Sequence, residues 1–246
     1  MLEMKIVCFG DSVTRGVTFM NGRLRILKKN YPSLLRDLFE MNKETPLENN
    51  IEVLNKGVFN DNSDHLLLRL EKDVLQKEPM FVIIGIGGND CNFQWKEVAD
   101  QPDQNHHAIV TLDRYINNLK TIIYKTRENG ITPILLTLPP LDPVRYYEYI
   151  TNLFSSKVSH WICKVGGIEH WHGNYNRRLK EVAEESDVDI IDIRTAMKQT
   201  GDLEDLISDD GIHPTEQGYK AIAAEIYHKM SSYMGIGRFK AGSYGC

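Results

Sequence analysis

The clearest structural signal in this chain is the sequence Ile6-Val7-Cys8-Phe9-Gly10-Asp11-Ser12-Val13-Thr14-Arg15-Gly16. It begins with a near-continuous apolar run, over residues 4–9, of the kind that forms a strand covered on both faces of a parallel sheet. Ser12 follows the carboxyl end of that predicted strand, where open α/β sheets bind their ligands. This position makes Ser12 a candidate nucleophile. Asp11 or Ser12 could instead cap the turn that follows, and the residues alone leave both interpretations open.

The rest of the chain repeats the alternation of a short apolar run with a segment of helical spacing. The four further apolar runs lie at residues 51–54, 80–86, 131–138 and 188–193. The helical segments lie at residues 31–41, 63–76, 112–129, 174–186 and 215–233. This alternation predicts an α/β fold with a doubly wound, five-stranded parallel sheet, and it gathers the loops after the strands at one sheet edge.

Two stretches interrupt the alternation. Residues 17–27 contain Asn21-Gly22 between β-prone runs, which predicts a small β-hairpin flap. Residues 139–173 are too long for a simple connection and rich in Tyr, Trp and His, which predicts a helical insertion or a mobile lid over the ligand edge. We expect one domain over residues 1–234 and a flexible, glycine-rich tail over residues 235–246.

Length, composition and charge exclude several classes of protein. The 246 residues are 41% hydrophobic and 26% charged, which is typical of a globular protein and not of a disordered one. The formal net charge is −5, and no basic stripe is present, so nucleic acid is not an expected partner. Four scattered cysteines fit a reducing compartment, and neither an export signal nor an 18-residue apolar run is visible. We therefore expect a cytoplasmic protein without a membrane span.

Other residues with chemical potential follow later in the chain. Asp210 and His213 lie three residues apart in a predicted turn, and a serine nucleophile needs such a base and carboxylate. Asn89 follows the predicted strand 80–86 and Gly57 follows the strand 51–54, so each could donate a hydrogen bond to an oxyanion. Each has an ordinary alternative, a solvated loop histidine or a tight turn, and only their coincidence at successive strand ends favours catalysis.

These residues resemble the sequence blocks of the SGNH hydrolases, also called GDSL esterases and lipases. The matching blocks are Gly10-Asp11-Ser12, Gly57, Gly87-Gly88-Asn89-Asp90 and Asp210-Gly211-Ile212-His213, and the match spans residues 4 to 233. The resemblance implies a flavodoxin-like three-layer α/β/α sandwich with strand order 2-1-3-4-5. It also implies hydrolysis of a small-molecule ester through an acyl-serine, with no cofactor and no metal.

The resemblance also implies a role for each matching position. Ser12 would be the nucleophile, His213 the general base and Asp210 the residue that orients it. The Ser12 and Gly57 backbone N–H groups and the Asn89 side chain would form the oxyanion hole. Val13 stands where the family name has leucine, and Asn60 stands where many members have a second glycine. Asn tolerates the left-handed geometry that glycine would supply, so we expect the turn to persist.

The aromatic segment 139–173 offers further candidates. Its histidines and Cys163 are possible zinc ligands, but their spacing matches no standard site, and we expect substrate contacts or plain packing instead. The candidate substrate contacts are Tyr146, Trp161 and Trp171, together with Arg15 near the nucleophile.

The leading hypothesis is a serine esterase acting on a small or carbohydrate-linked acyl ester, with acetyl as the favoured acyl group. The alternatives are a lysophospholipase or thioesterase, an acyltransferase, and a non-catalytic binding protein with the same fold. Association into a homo-oligomer stays open.

Overall fold

The computed structural model of the protein describes residues 4–42 and 51–234. The first half of the described chain contains, in order, β1 (Met4–Gly10), α1 (Ser12–Arg15), β2 (Val17–Met20), β3 (Arg23–Ile26), α2 (Tyr31–Met41), β4 (Ile51–Gly57), α3 (Ser63–Asp73), a 3₁₀ turn (Leu75–Lys77), β5 (Phe81–Gly85) and α4 (Trp95–Asp100). The second half contains α5 (Leu112–Glu128), β6 (Thr132–Leu136), α6 (Pro143–Leu153), α7 (Val158–Lys164), α8 (Ile168–Glu185), β7 (Asp189–Ile191), α9 (Ile193–Thr200), α10 (Leu203–Leu206) and α11 (Glu216–Tyr233).

Five strands form one parallel sheet in the order β4-β1-β5-β6-β7. When these five strands are renumbered 1 to 5 in the order in which they occur along the chain, their order across the sheet is 2-1-3-4-5. The predicted fold class is therefore confirmed. Gly10 at the end of β1 pairs with Gly57 on one side and with Gly85 on the other. The three central strand ends therefore lie at one level, and the loops that leave them meet above the same edge.

Alternating side chains of the sheet fill two separate apolar layers. Val7 and Phe9 of β1 point into a layer built with α3, α5 and α8, whereas Ile6 and Cys8 point into a layer built with α2, α9 and α11. This alternation follows from the two-residue period of a strand. Because both faces are covered, the central strands have the continuous apolar sequences from which they were predicted.

The segment 139–173 is helical over most of its length. It contains α6, α7 and the first residues of α8, which begins at Ile168, six residues before the predicted start at 174. Gly166 and Gly167 both have positive φ and separate α7 from α8. Buried residues of α4, α6 and α7 form a third apolar cluster with Phe93. The cluster packs the segment onto the loop that follows β5.

The hairpin β2–β3 is antiparallel, and its turn residues Asn21 and Gly22 both have positive φ, as a tight hairpin requires. The predicted tail at 235–246 lies outside the described residues. Within residues 4–42 and 51–234, every helix is too short or too polar to cross a bilayer.

Candidate active site

Three predicted residues form one continuous hydrogen-bonded chain. Ser12 Oγ lies 3.0 Å from His213 Nε2, and His213 Nδ1 lies 2.5 Å from Asp210 Oδ2. A carboxylate can only accept, so Nδ1 carries the ring proton and Nε2 accepts from the Ser12 hydroxyl. All three side chains are buried. The arrangement is that of a nucleophile, a base and an orienting carboxylate.

Hydrogen bonds hold Asp210 in its ionised form. Burial pushes the pKa of Asp210 upward, but the bond from the His213 ring and those from the backbone N–H groups of His213 and Ile212 outweigh it, and the pKa lies below its usual value. The ionised carboxylate fixes the tautomer of His213 and stabilises the imidazolium that forms when the base accepts a proton.

The loop that carries Asp210 and His213 is itself anchored at two places. Gly211 has a φ of 77°, and a Cβ there would lie 2.2 Å from Tyr146 N, so the loop packs directly against the backbone of α6. The Ser208 hydroxyl lies 2.8 Å from His213 O and 3.1 Å from Asp210 Oδ1, and it accepts a bond from Phe19 N of the hairpin. Ser208 was not predicted, because nothing in its local sequence distinguishes it from an ordinary turn serine.

Ser12 is placed by the first turn after β1. Asp11 caps α1 by accepting from Val13 N at 2.9 Å, so the predicted capping role and the catalytic position of Ser12 occur together. Ser12 is the first residue of α1, and its backbone N–H therefore has no acceptor within the helix. The Ser12 N–H is free to serve as one oxyanion donor.

Asn89 supplies a second donor at the same edge. Its Nδ2 donates to Asp61 O at 2.7 Å, which fixes the amide, and it lines the same cavity as Ser12 and His213. An amide nitrogen carries two hydrogens, and the second has no acceptor among the described residues. Asn89 therefore can donate to an oxyanion without losing its anchor.

Gly57 does not fit the predicted role of an oxyanion donor. Its N–H donates to Asn55 Oδ1 at 2.9 Å, and Gly57 lies within β4 instead of in the loop beyond it. A Cβ at Gly57 would lie 2.1 Å from Arg15 N, so the glycine allows α1 to pack directly on the sheet. We correct the prediction: Gly57 is a spacer beneath the turn that carries Ser12.

Replacing Gly57 with alanine is expected to lower the melting temperature and the rate of Ser12-dependent hydrolysis together. The added Cβ would collide with the backbone of α1, and overpacking of this kind costs about 1 to 3 kcal/mol or more. Thermal unfolding and hydrolysis of p-nitrophenyl acetate measure both effects. Gly201→Ala is the matched control, because Gly201 does not line the cavity next to Ser12 and a Cβ there would meet nothing within 4 Å. A stable Gly57→Ala variant would contradict the spacer role.

Two buried carboxyl groups lie close to the triad. Burial raises the pKa of Asp11 to about 7, the bond from Val13 N and the charge of His213 lower it, and Asp90 and Asp61 raise it further. Burial likewise raises the pKa of Asp90 to about 6, against the hydrogen bonds that it accepts from Ser63. Ser12 and Asn89 therefore each have a buried carboxyl group as a direct neighbour in the chain.

The raised pKa of Asp11 predicts a pH-dependent stability difference. The pKa of Asp in an unfolded chain is about 3.9. Between that pH and about pH 7, the unfolded state therefore binds fewer protons than the folded state, and the free energy of unfolding falls as the pH rises. Asp11→Asn keeps an acceptor for Val13 N but has no proton to lose. Its stability relative to wild type is expected to increase by about 2 to 3 kcal/mol between pH 4.5 and pH 8.

Urea denaturation at the two pH values measures this change. Asp209→Asn, an exposed neighbour of the triad, is the control and is expected to show no such gain. An Asp11→Asn variant whose stability relative to wild type is the same at both pH values would contradict the raised pKa.

The cavity next to Ser12 has a volume of about 100 Å³ and mostly apolar walls. Its walls come from the loops after β1, β5 and β6, from α6 to α8, and from the triad loop. The apolar residues that line it include Phe93, Trp95, Leu138, Pro139, Pro140, Leu141, Ile162, Val165, Ile168 and Ile212. The helical segment 139–173 thus contributes a wall of the cavity.

Two of the four predicted substrate contacts line the cavity. Tyr146 and Trp171 do so, and their polar atoms are bonded to Asn92 Oδ1 and Cys91 O respectively. Trp161 packs behind the wall against Phe93, at a ring-centroid distance of 5.8 Å. Arg15 is exposed and is not among the lining residues. Trp161 and Arg15 therefore do not belong to the wall of this cavity, and a contact between either of them and the substrate stays a prediction.

The histidines of the aromatic segment do not converge. His160 is exposed, whereas His172 is buried and bonded to Arg194. Over residues 4–42 and 51–234, no three His, Cys, Asp or Glu side chains are close enough to hold a metal ion.

Comparison with known proteins identifies the family. The protein-family model described as GDSL-like Lipase/Acylhydrolase matches residues 6–226 of the sequence. The chain therefore belongs to this family of ester-hydrolysing enzymes. The predicted SGNH resemblance is thereby confirmed.

Individual relatives have low sequence identity to this chain, but the matches extend over most of its length. An uncharacterized lipoprotein of Bacillus subtilis, YqeF, is 28% identical over 194 residues, which cover 76% of this chain and 69% of that protein. The isoamyl acetate-hydrolyzing esterase 1 homolog of Mus musculus is 25% identical and covers 89% of this chain and 78% of its own length. An acetylxylan esterase from Geobacillus stearothermophilus has the same fold, with a TM-score of 0.64, 22% identity, and coverage of 98% of this chain and 97% of that one.

Proposed function

We propose that the protein is a serine esterase that hydrolyses small esters with a short acyl group, with acetyl as the favoured group, through an acyl-serine intermediate. The observation that carries the proposal is the hydrogen-bonded chain from Ser12 through His213 to Asp210. Names of similar proteins support a short acyl group, since one relative acts on isoamyl acetate by its name and one structural neighbour on acetylxylan.

The first half of the reaction transfers the acyl group to the protein. Ser12 Oγ attacks the ester carbonyl while its proton passes to His213 Nε2, and the oxyanion accepts hydrogen bonds from Ser12 N–H and Asn89 Nδ2. The tetrahedral intermediate then breaks its bond to the alcohol oxygen, which takes the proton from His213. The products are a free alcohol and acyl-Ser12.

The second half repeats these steps with water. His213 removes a proton from water as the water oxygen attacks the acyl carbonyl, and the same donors hold the second oxyanion. The bond to Ser12 Oγ then breaks, and Ser12 recovers its proton from His213. The carboxylic acid leaves, and the enzyme returns to its initial state.

Cavity size favours a small substrate. At about 100 Å³ it is well below the roughly 300 to 1,000 Å³ of pockets that enclose drug-sized ligands. Apolar walls suit an acetyl or other small acyl group better than a whole sugar, so a carbohydrate-linked ester would place its sugar outside the cavity.

The ester series from p-nitrophenyl acetate to p-nitrophenyl palmitate tests the proposal, with Ser12→Ala as the blank. We expect kcat/KM to fall steeply beyond short acyl chains. A maximum at long chains would contradict the short-acyl proposal in favour of a lysophospholipase or thioesterase. Absence of any Ser12-dependent rate would contradict hydrolysis and favour acyl transfer to an alcohol or a non-catalytic binding protein. The cytoplasmic location and the oligomeric state stay predictions.

A further inference from the structure

Most polar side chains that line the cavity already have partners within the protein. Thr14 pairs with Tyr31, Cys91 donates to Gly88 O, Thr137 donates to Asp192, and Trp171 donates to Cys91 O. Apart from the oxyanion donors, two cavity-lining residues keep a donor that no acceptor among residues 4–42 and 51–234 satisfies. They are His172, through Nε2, and Asn92, through Nδ2.

His172 is held in one orientation and one tautomer. Arg194 Nη1 lies 3.1 Å from His172 Nδ1 and 3.1 Å from Pro139 O. Since a guanidinium only donates, Nδ1 must accept, and the ring hydrogen therefore lies on Nε2. His172 is 7% exposed and lines the cavity, and its Nε2 donor, on the ring edge away from Arg194, has no hydrogen-bond partner among residues 4–42 and 51–234.

The charge state of His172 follows from its surroundings. Burial lowers the pKa of His172 to about 3, and the positive charges of Arg194 and Lys198 lower it further. Glu169, the acidic group of this cluster, bonds to Arg194 and Lys198. His172 is therefore a neutral donor at physiological pH, which suits it to an uncharged acceptor and makes it unable to act as a base.

Asn92 is fixed in the same way at the neighbouring wall. Its Oδ1 accepts from Trp95 Nε1 at 2.7 Å, from Tyr146 OH at 2.9 Å and from Phe93 N at 2.9 Å. Three donors on Oδ1 set the orientation of the amide, which leaves Nδ2 as a second donor to the cavity.

We propose that His172 is a specificity-determining residue whose Nε2–H donates a hydrogen bond to an oxygen atom of the substrate, so that the enzyme favours an oxygen-bearing ester over an alkyl ester of the same length. The proposal rests on the proposed esterase function and adds a substrate class to it: esters with an ether, hydroxyl or carbonyl oxygen beyond the scissile bond. Asn92 contributes an additional donor in the same cavity.

The order of the strands indicates how far the oxygen recognised by His172 lies from the scissile carbonyl at Ser12. Pro139, which shares Arg194 Nη1 with His172, follows β6, and β6 lies two strands from β1, the strand that leads to Ser12. At about 4.8 Å between neighbouring strands, this separation is about 10 Å before the side chains extend into the cavity. The recognised oxygen therefore lies several bonds from the scissile carbonyl.

The desolvation of the His172 donor favours the same substrate class. An alkyl group in the cavity would displace water from the donor and leave it without an acceptor, which destabilises the complex, whereas an oxygen atom would accept its hydrogen bond. A site built around such a donor discriminates against the analogue that lacks the acceptor.

Two substitutions separate the two ring nitrogens. His172→Asn keeps an acceptor for Arg194 at the Nδ1 position and withdraws the donor from the Nε2 position. His172→Gln keeps a donor near the Nε2 position and loses the Nδ1 acceptor. Thermal unfolding checks that both variants remain folded.

The substrates are two isosteric pairs that place the oxygen on either side of the ester. One pair is pentyl acetate and 2-ethoxyethyl acetate, and the other is p-nitrophenyl hexanoate and p-nitrophenyl 4-methoxybutanoate, so the ether oxygen lies four bonds from the carbonyl carbon in both pairs. For each pair, the ratio of variant to wild-type kcat/KM is compared between the two members, which cancels their intrinsic reactivities. In at least one pair, the kcat/KM of His172→Asn relative to wild type is expected to fall about fivefold to tenfold further for the oxygen-bearing ester than for the alkyl ester. For His172→Gln, the corresponding difference between the two esters is expected to be less than twofold.

Equal losses for both members of both pairs in His172→Asn would overturn the proposal, as would a selective loss of the same size in His172→Gln. Long-range ¹⁵N correlation spectra of wild type provide a readout that does not depend on turnover. The expected signal is a neutral His172 with its proton on Nε2 from pH 5 to pH 8, and a proton on Nδ1 or a charged ring would overturn it. Failure of the esterase proposal would instead appear as the loss of Ser12-dependent hydrolysis for every ester.

Discussion

Ser12→Ala is expected to lower kcat for p-nitrophenyl acetate by about 10⁴-fold to 10⁶-fold while leaving the protein folded. The substitution removes the hydroxyl that forms the acyl intermediate in the proposed mechanism, and the residual rate would come from the oxyanion donors and from binding. The fold is expected to persist, because Ser12 Oγ has a single described hydrogen bond, to His213, and the Asp11 cap of α1 does not depend on it. A spectrophotometric assay and thermal unfolding measure both results.

Ser231→Ala is the matched control for this substitution. Ser231 is 7% exposed, similar to Ser12 at 6%, and its hydroxyl is buried without a partner among the described residues. Since Ser231 lies on α11 and does not line the cavity, Ser231→Ala is expected to keep full activity and to lose no stability. A Ser12→Ala enzyme with more than about one hundredth of the wild-type rate would place the nucleophile elsewhere.

The triad and the sheet were predictable because their signals are local. A strand covered on both faces has a continuous apolar sequence, and the turn residues after it are adjacent in the chain, so Ser12 and Asn89 could be placed from their strands. Asp210 and His213 lie three residues apart and needed only one turn to meet. His213 lies 201 residues from Ser12 in the sequence, and the family resemblance together with the topology of the sheet placed the two residues side by side.

Gly57 was misassigned because β4 lies at the sheet edge. The last three residues of β4 are Asn55, Lys56 and Gly57, and its residues before Gly57 are only partly buried. The sequence therefore lost its apolar signal three residues before the strand ended, at 54 instead of 57, and Gly57 was placed in the loop. An edge strand with one wetter side lacks the continuous pattern on which the prediction relied.

The cavity was the least predictable part of the site. Its polar framework joins Asn92 to Tyr146 across 54 residues and His172 to Arg194 across 22, and no local spacing encodes such pairs. Trp161 and Trp171 have similar surroundings in sequence, but they lie on different helices, α7 and α8, and only Trp171 lines the cavity. Side-chain packing between α4, α6 and α7 decides which aromatic residue faces the substrate.

The other large effect is expected at the orienting carboxylate, where Asp210→Asn should lower kcat by about 10⁴-fold. The amide Oδ1 can still accept from the backbone N–H groups of Ile212 and His213, so the loop is expected to keep its shape. The amide Nδ2, at the position of Asp210 Oδ2, would donate to His213 Nδ1. The ring proton would then lie on Nε2, and that nitrogen could no longer accept from Ser12. The variant also lacks the negative charge that stabilises the imidazolium.

Asp209→Asn separates this effect from a general loss of charge in the loop. Asp209 is the exposed neighbour of Asp210 and has no hydrogen bond or ion pair among the described residues, so its substitution is expected to change kcat by less than twofold. Steady-state kinetics with p-nitrophenyl acetate compares the two variants at equal thermal stability. Similar losses in both would assign the effect to the net charge of the loop, and an active Asp210→Asn enzyme would show that His213 does not depend on Asp210 for its tautomer. The 2.5 Å contact between Asp210 Oδ2 and His213 Nδ1 argues for the selective loss, because that contact joins the carboxylate directly to the ring nitrogen that must keep the proton.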